Sequence, residues 1–496
     1  MNSFSYIIIG AGSAGCVLAN RLSAGNDYAF YSTSQEHMNG RRLFLPRGKG
    51  TGGSSSINAM IYIRGNRQDY DEWSAMGNKG WSYDEVLPFF KKAENQQIIH
   101  NKYHGDAGPL PVTGSRYYNH LSNIFIQAGE ELGYTRNEDF NGRSQDGFGL
   151  FQVTQVNGER CSAARAYLKP VLSRTNLIIE NNAEAERIII ENGKAVGVVY
   201  HQHGRRQEAK ATKEIILCAG AYLSPKILMI SGIGHGDELT KHGIPIVKHL
   251  PGVGKNLQDH LAIGALFNTS YKATLDGSDK FPAVLKNLFS YLAFKRGPFC
   301  SNLAEAGAFV KSSPEQPCPD IQFHFGAAYF VDHGFVQPKG HGYSIGGVVL
   351  NPQSKGTVSL ASGDYKAAPL IDHNFLNHDD DLRRMIWAYR FAYQLGMTEA
   401  FKPYRTGLFL PEKILNDDTG IADFIRSKAE VLYHPTSSCR MGNDEWAVVN
   451  HELKVHGVGN LRVVDASVMP NVTRGNTNAP TIMIAEKSAE MIAGGL

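Results

Sequence analysis

The sequence has little of what holds small secreted proteins together. Only six cysteines occur in 496 residues, Cys16, Cys161, Cys218, Cys300, Cys318 and Cys439, and no two stand at metal-ligand or redox spacing. This argues against a disulfide framework and a metal site, and free thiols in a reducing compartment are expected. No window of about 20 apolar residues is present, which argues against a spanning helix. No basic start precedes the apolar "FSYIII", so a secretory signal is not expected. Excess charge of one sign is lacking too. Fifty basic residues face 47 acidic ones for a net +3, so neither nucleic acid nor an anionic membrane is expected as the main partner. The expectation is a cytoplasmic globular protein of two or three domains, with peripheral attachment at the inner membrane left open.

Glycine, by contrast, is concentrated in motifs. In "SYIIIGAGSAGCVLANRLS" a β-branched run ends at Gly10 and is followed by Gly12, Gly15 and a helical pattern. This is the strand, turn and helix that the dinucleotide fingerprint requires. Gly10 permits the sharp turn, Gly12 lets a diphosphate approach the backbone, and Gly15 lets helix and strand pack closely. The diphosphate would rest on the N–H groups of the helix start.

One part of the fingerprint is missing. An acid about 20 positions on, ending a second strand, should bond the adenosine ribose. Glu36 has the right separation, but it lies several polar residues beyond the strand-like "YAFYS" and reads as a solvated loop carboxylate. A second motif, "RGKGTGGSSSINAMIYIRG", offers unencumbered N–H groups and hydroxyls suited to a phosphate or a planar ring. A third, "GAYLSPKILMISGIG", reads only as a capped helix between tight turns. At the carboxyl end, His434 precedes Pro435, and Asn476 and Asn478 precede Pro480 and Thr481.

Taken jointly, the second and third motifs and the carboxyl-terminal segments resemble the glucose-methanol-choline (GMC) flavoprotein oxidoreductase family. The likeness extends through "WSYDEVLPFFKKAE", "SAARAYL", "LPGVGKNLQDH" and "NTNAPTIMIAEKSAEMI", nearest to the bacterial alcohol dehydrogenase and choline dehydrogenase branch. The resemblance implies α/β and α+β architecture: a discontinuous Rossmann-like FAD-binding domain, and a substrate domain on a mixed or antiparallel sheet flanked by helices. Residues 1–263 would form most of the FAD domain, with a lid or loop region near 66–120. Residues 264–448 would form mainly the substrate domain, and 449–496 would return to the FAD domain.

By motif, the resemblance places Gly10, Gly12, Ser13 and Gly15 at the diphosphate and Gly53, Ser54, Ser55 and Asn58 along the flavin. Ala185 would lie at the adenine, and Asp465, Ala466, Asn476 and Thr481 near the diphosphate, ribityl chain and ring. Ile57 stands where some relatives carry a flavin-linking histidine, so noncovalent FAD is expected. His434 and Asn478, 44 positions apart, match the catalytic pair. A histidine suits removal of an alcohol proton, and an amide suits orienting the alcohol oxygen. The resemblance thus implies oxidation of a primary alcohol to an aldehyde, with oxygen or a quinone-like acceptor taking the electrons. The stretch "DIQFHFGAAYF" alternates as a strand would, with Gln322, His324 and Gly326 on one face; His324 there and Glu305 are candidate substrate contacts, although a structural role for each is the stronger reading.

Two departures qualify this. Thr51 replaces an aliphatic residue before the paired glycines. More seriously, "RLSAGN" passes almost directly into "YAFYSTSQ", so about 35 to 40 residues, one strand-and-loop unit, are missing near Gly25–Asp27 relative to the family. A strand truly lost would leave the first strand at an open edge, remove the ribose acid and severely reduce FAD affinity, so the expectation is that the natural protein retains this segment. A flavin-poor binding protein and a non-redox lyase on the same scaffold are the alternatives.

Overall fold

The computed structural model describes residues 2–20 and 29–494; the junction near Gly25–Asp27 lies outside them. The first strand, Asn2–Ile9, runs parallel to the long strand Arg205–Leu217, with Ile9 opposite Leu217. Leu461–Val463 joins the long strand in parallel at its carboxyl end. Lys194–Gln202 and Ala183–Glu191 extend the sheet as an antiparallel meander. Among the described residues the first strand is an edge of this sheet.

The segment "YAFYS" does not fill that edge. Ala29–Tyr31 pairs antiparallel with Phe44–Pro46 in a separate two-stranded ladder, and Phe30 and Leu45 are buried in the other sheet's core. Glu36 lies on a short 3-10 turn, exposed to solvent.

That other sheet is antiparallel throughout. Its main path runs Gly147–Leu150, Ala304–Val310, Ile321–Gly326, Gly342–Val349, Leu261–Thr269 and Arg405–Leu410. Period-two alternation sends Phe323 and Phe325 into the core beneath the helix Asp379–Met397. Gln322, His324 and Gly326 take the opposite face, as the alternation predicts.

Residues 66–120, expected as a lid or loop region, carry two capped helices, Arg67–Ala75 and Tyr83–Ala93. Trp73 and Trp81 are fully buried there, and Tyr83–Ala93 packs on the carboxyl-terminal helix Asn478–Ala493. That last helix also packs against the first, Ser13–Asn20, which brings two helix starts to one place.

Candidate active site

The two glycine motifs meet face to face. A Cβ on Gly15 would lie 2.0 Å from the Gly10 carbonyl oxygen, so only glycine lets this helix sit on its strand. Gly10 has φ +112°, and a Cβ there would lie 2.3 Å from the Cys218 carbonyl oxygen. Gly52 N–H donates to the Ala11 carbonyl at 2.8 Å, and a Cβ on Gly53 would lie 2.6 Å from the Gly12 Cα. Gly12 differs from its neighbours: a Cβ there meets no atom within 4 Å. Its open side faces a continuous cavity of about 2250 Å³, well above the roughly 300–1,000 Å³ of an ordinary small-ligand pocket.

The cavity runs from Ala185 past Gly10, Gly12 and Ser13 to His434, and Gly53, Ser54, Asn58, Ala466 and Thr481 contribute to its walls. Ser55 lies behind the wall, where its hydroxyl donates to the Gly52 carbonyl and accepts from Ala163 N–H. Asn58 accepts from Arg160 at 2.8 Å. Asp465 is saturated by Gly220 N–H, the Ser224 hydroxyl and Ser467 N–H, at 2.8, 2.6 and 2.8 Å. Its carboxylate therefore fixes the start of the helix Gly220–Ile230, the third sequence motif, against the cavity wall.

His434 follows the short strand Glu430–Val431 and is held by its own N–H, which donates to Asp259 Oδ1 at 2.7 Å. Its ring is one link in a chain. The His260 Nε2–H donates to the Leu350 carbonyl at 2.9 Å, because a carbonyl can only accept. Burial pushes His260 down to about 4, so at neutral pH its Nδ1 carries a lone pair. That lone pair lies 3.0 Å from His434 Nδ1, which must then bear the proton. His434 Nε2 is left unprotonated and facing the cavity, 3.2 Å from the Asn476 amide nitrogen. Burial, with His260, His324 and the Arg47 guanidinium close by, holds His434 well below the usual histidine range.

The sequence pairing of His434 with Asn478 is not what the geometry brings together. Asn476 is the amide at His434, and its oxygen accepts from Gln322 at 3.3 Å. Asn478 instead accepts from the Ser13 hydroxyl at 2.6 Å, tying the last helix to the first. A single residue, Thr477, separates the two amides where the last helix begins, enough to turn one away from the other. Glu305 is also displaced from its candidate role. Its carboxylate takes Asn119 N–H, Ser122 and Ser301, with 1% of the residue exposed, and it does not line the cavity. His324 does line it, with a buried Nε2 that has no hydrogen-bond partner. Burial pushes His324 to about 4.

Sequence reasoning gave no role to His260, Arg47 or Gln322. His260 stood in the quoted "LQDH" segment, but only the folded register shows that its ring meets His434.

Two family models, the amino- and carboxyl-terminal parts of GMC oxidoreductases, match residues 4–262 and 352–485. The chain belongs to the GMC oxidoreductase family. It is 44% identical to the alcohol dehydrogenase [acceptor] of Pseudomonas putida over 527 aligned positions, covering 99% of this chain and 95% of that one. Human mitochondrial choline dehydrogenase is 39% identical, covering 99% and 90%. Among solved structures, pyridoxine 4-oxidase from Mesorbium loti superposes with a TM-score of 0.89 at 29% identity, covering 98% and 99%.

Membership in the GMC oxidoreductases makes FAD the cofactor, and the residues present fit most of it. Gly12 leaves the space a diphosphate needs, and the helix starts at Ser13 and Asn478 supply N–H dipoles for its charge. The adenosine end differs. Glu36 is not in the cavity wall; Glu180, Glu184 and Glu186 are, beside Ala185. An alignment of 527 positions against 496 residues also requires at least 31 positions at which the alcohol dehydrogenase has no counterpart here.

Proposed function

We propose that this GMC oxidoreductase oxidises a primary alcohol to an aldehyde, with His434 Nε2 as the proton acceptor and Asn476 as the group that orients the alcohol oxygen. When bound, FAD supplies the acceptor for the hydride leaving the α-carbon. The observation that carries the reading is the lone pair on His434 Nε2, turned into the cavity by the Leu350–His260 chain and set beside the Asn476 amide.

A histidine this far below its ordinary pKa is a weak base. It gains the proton favourably only as the alcohol oxygen becomes a carbonyl and loses its hold on it, which couples deprotonation to C–H cleavage. Asn476 cannot titrate near neutrality; its N–H donates to developing negative charge on that oxygen. Similarity to the alcohol and choline dehydrogenases supports an alcohol substrate, and oxygen or a quinone-like molecule is the proposed terminal acceptor. Anaerobic bleaching of the flavin across an alcohol panel, then reoxidation with oxygen or a soluble quinone, tests the reading. A holoenzyme bleached by no alcohol contradicts it.

Asn476→Ala is expected to lower kcat about 10²-fold, the scale of losing one donor to a developing oxyanion. Asn478→Ala should leave kcat within a few-fold and instead lower the melting temperature, since it unties the two helices. Comparable kcat losses in both variants would refute the division of roles. FAD is proposed to be noncovalent, because the aliphatic Ile57 in the cavity wall offers no atom for a flavin bond. Acid precipitation should therefore release all the flavin to the supernatant.

The histidines also set a pH dependence. The depressed pKa of His434 keeps the base unprotonated, so the acid limb of kcat/KM is expected well below 6.5. His260 and His324 titrate near 4 when folded and near 6.5 when unfolded. Above pH 6.5 they are neutral in both states and contribute nothing. Between about 6.5 and 4 the unfolded chain binds more protons, so stability falls as pH falls. Thermal melts across that window read this directly.

A further inference from the structure

The helix Ala283–Phe294 is amphipathic in the wrong sense for a globular protein. None of its residues is buried. Leu285, Leu288, Phe289 and Leu292, spaced at i, i+3, i+4 and i+7, form one apolar stripe and are 60%, 42%, 66% and 63% exposed. Phe281 and Phe294 extend the stripe at its two ends, at 81% and 61% exposure. The inward side is the more polar one: Asn287 donates to the Ser278 carbonyl at 2.7 Å and Ser290 to the Arg296 carbonyl at 3.1 Å. An apolar face of this extent, turned outward, marks a binding surface.

Charge identifies what it meets. The 20 residues from Lys280 to Phe299 contain Lys280, Lys286, Lys295 and Arg296 and no carboxylate, in a chain whose charges otherwise nearly cancel. Lys280, Lys286 and Arg296 are exposed, while Lys295 pairs with Glu159 at 2.9 Å. Arg116 joins Arg296 beside Phe294. A stripe of leucine and phenylalanine flanked by exposed cations matches an anionic lipid surface, where the apolar side chains enter the acyl boundary and the cations meet headgroups.

The helix also leads to the cavity. Through the turn Pro298–Cys300 the chain reaches Leu303, which lines the cavity and is itself exposed, as are Phe330, Phe335 and Val336 on the same rim. Among the described residues no helix is long and apolar enough to cross a membrane, so any attachment through this helix is from one side.

We propose that Ala283–Phe294 docks the protein on an anionic membrane surface. The inference stands on this surface and not on the chemistry proposed above. Co-sedimentation of the full-length holoenzyme with phosphatidylcholine vesicles, with and without phosphatidylglycerol, tests it. Binding is expected to be tighter to the phosphatidylglycerol vesicles and to weaken with salt. Leu288→Ser/Phe289→Ser/Leu292→Ser should lower partitioning at least about tenfold. Lys286→Glu/Arg296→Glu should remove the preference for anionic lipid. Both variants should retain wild-type flavin content and wild-type reduction of a water-soluble dye, which keeps this test separate from the catalytic one. Absence of wild-type binding, equal binding to both vesicle types, or undiminished binding of the triple variant would each overturn the proposal. A dimer that forms through this helix and ignores vesicles would overturn it in favour of a second copy.

Discussion

His434→Ala is expected to depress kcat/KM for alcohol oxidation at least about 10²-fold, the least that losing a positioned general base costs, while flavin content stays at the wild-type level. The cofactor walls do not depend on this ring. The expected loss lies in kcat, because the proton then has no acceptor aligned with the alcohol oxygen. His260→Leu should give a smaller loss with the same flavin content. It removes the acceptor for His434 Nδ1–H and frees the ring to hold its proton on Nε2, the wrong atom for a base. His260→Gln, whose carboxamide oxygen can accept that proton, should recover part of the activity. Wild-type turnover in His434→Ala would remove the base from the mechanism; equal activity of the leucine and glutamine variants would remove the tautomer chain.

The second large effect separates two glycines three residues apart. Gly15→Ala places a Cβ 2.0 Å from the Gly10 carbonyl oxygen, a backbone atom that no side-chain rotation can move aside. The helix must lift from its strand, at a cost of about 3 kcal/mol or more, read as a lowered melting temperature even before FAD is added. Gly12→Val meets no protein atom at its Cβ, so the apoprotein should melt as the wild type does. Its side chain stands where the diphosphate must approach, and FAD affinity should fall about 10- to 100-fold. The two variants exchange signatures if the fingerprint has been misread: a normal apoprotein melt for Gly15→Ala, or full flavin occupancy for Gly12→Val, contradicts the assignment.

The fingerprint glycines were legible in the sequence because each answers a local constraint: one turn, one open approach, one close packing. The alternation through Gln322, His324 and Gly326 was legible for the same reason. The choice between Asn476 and Asn478 was not. Both amides stand at the start of one helix, and which of them turns toward His434 is decided by the Ser13 hydroxyl 465 positions away in the chain. Glu305 failed as a substrate contact because strand alternation carries no information on which face receives the helix start at Asn119. His260 was quoted without a role. Its ring meets His434 through strand pairing between Leu261 and Val431, a contact between segments about 170 residues apart. Sequence motifs thus reported what neighbouring residues do to each other, and the long-range register reported the rest.

The chain that sets the proton on His434 ends on a peptide carbonyl, that of Leu350, whose own N–H donates to the Asp320 carbonyl at 2.9 Å. No substitution at position 350 other than one that moves the backbone can delete that acceptor. The wall around it is made of replaceable side chains. Substitutions in that wall can therefore reshape which alcohol is admitted without touching the carbonyl on which the address of the working lone pair rests.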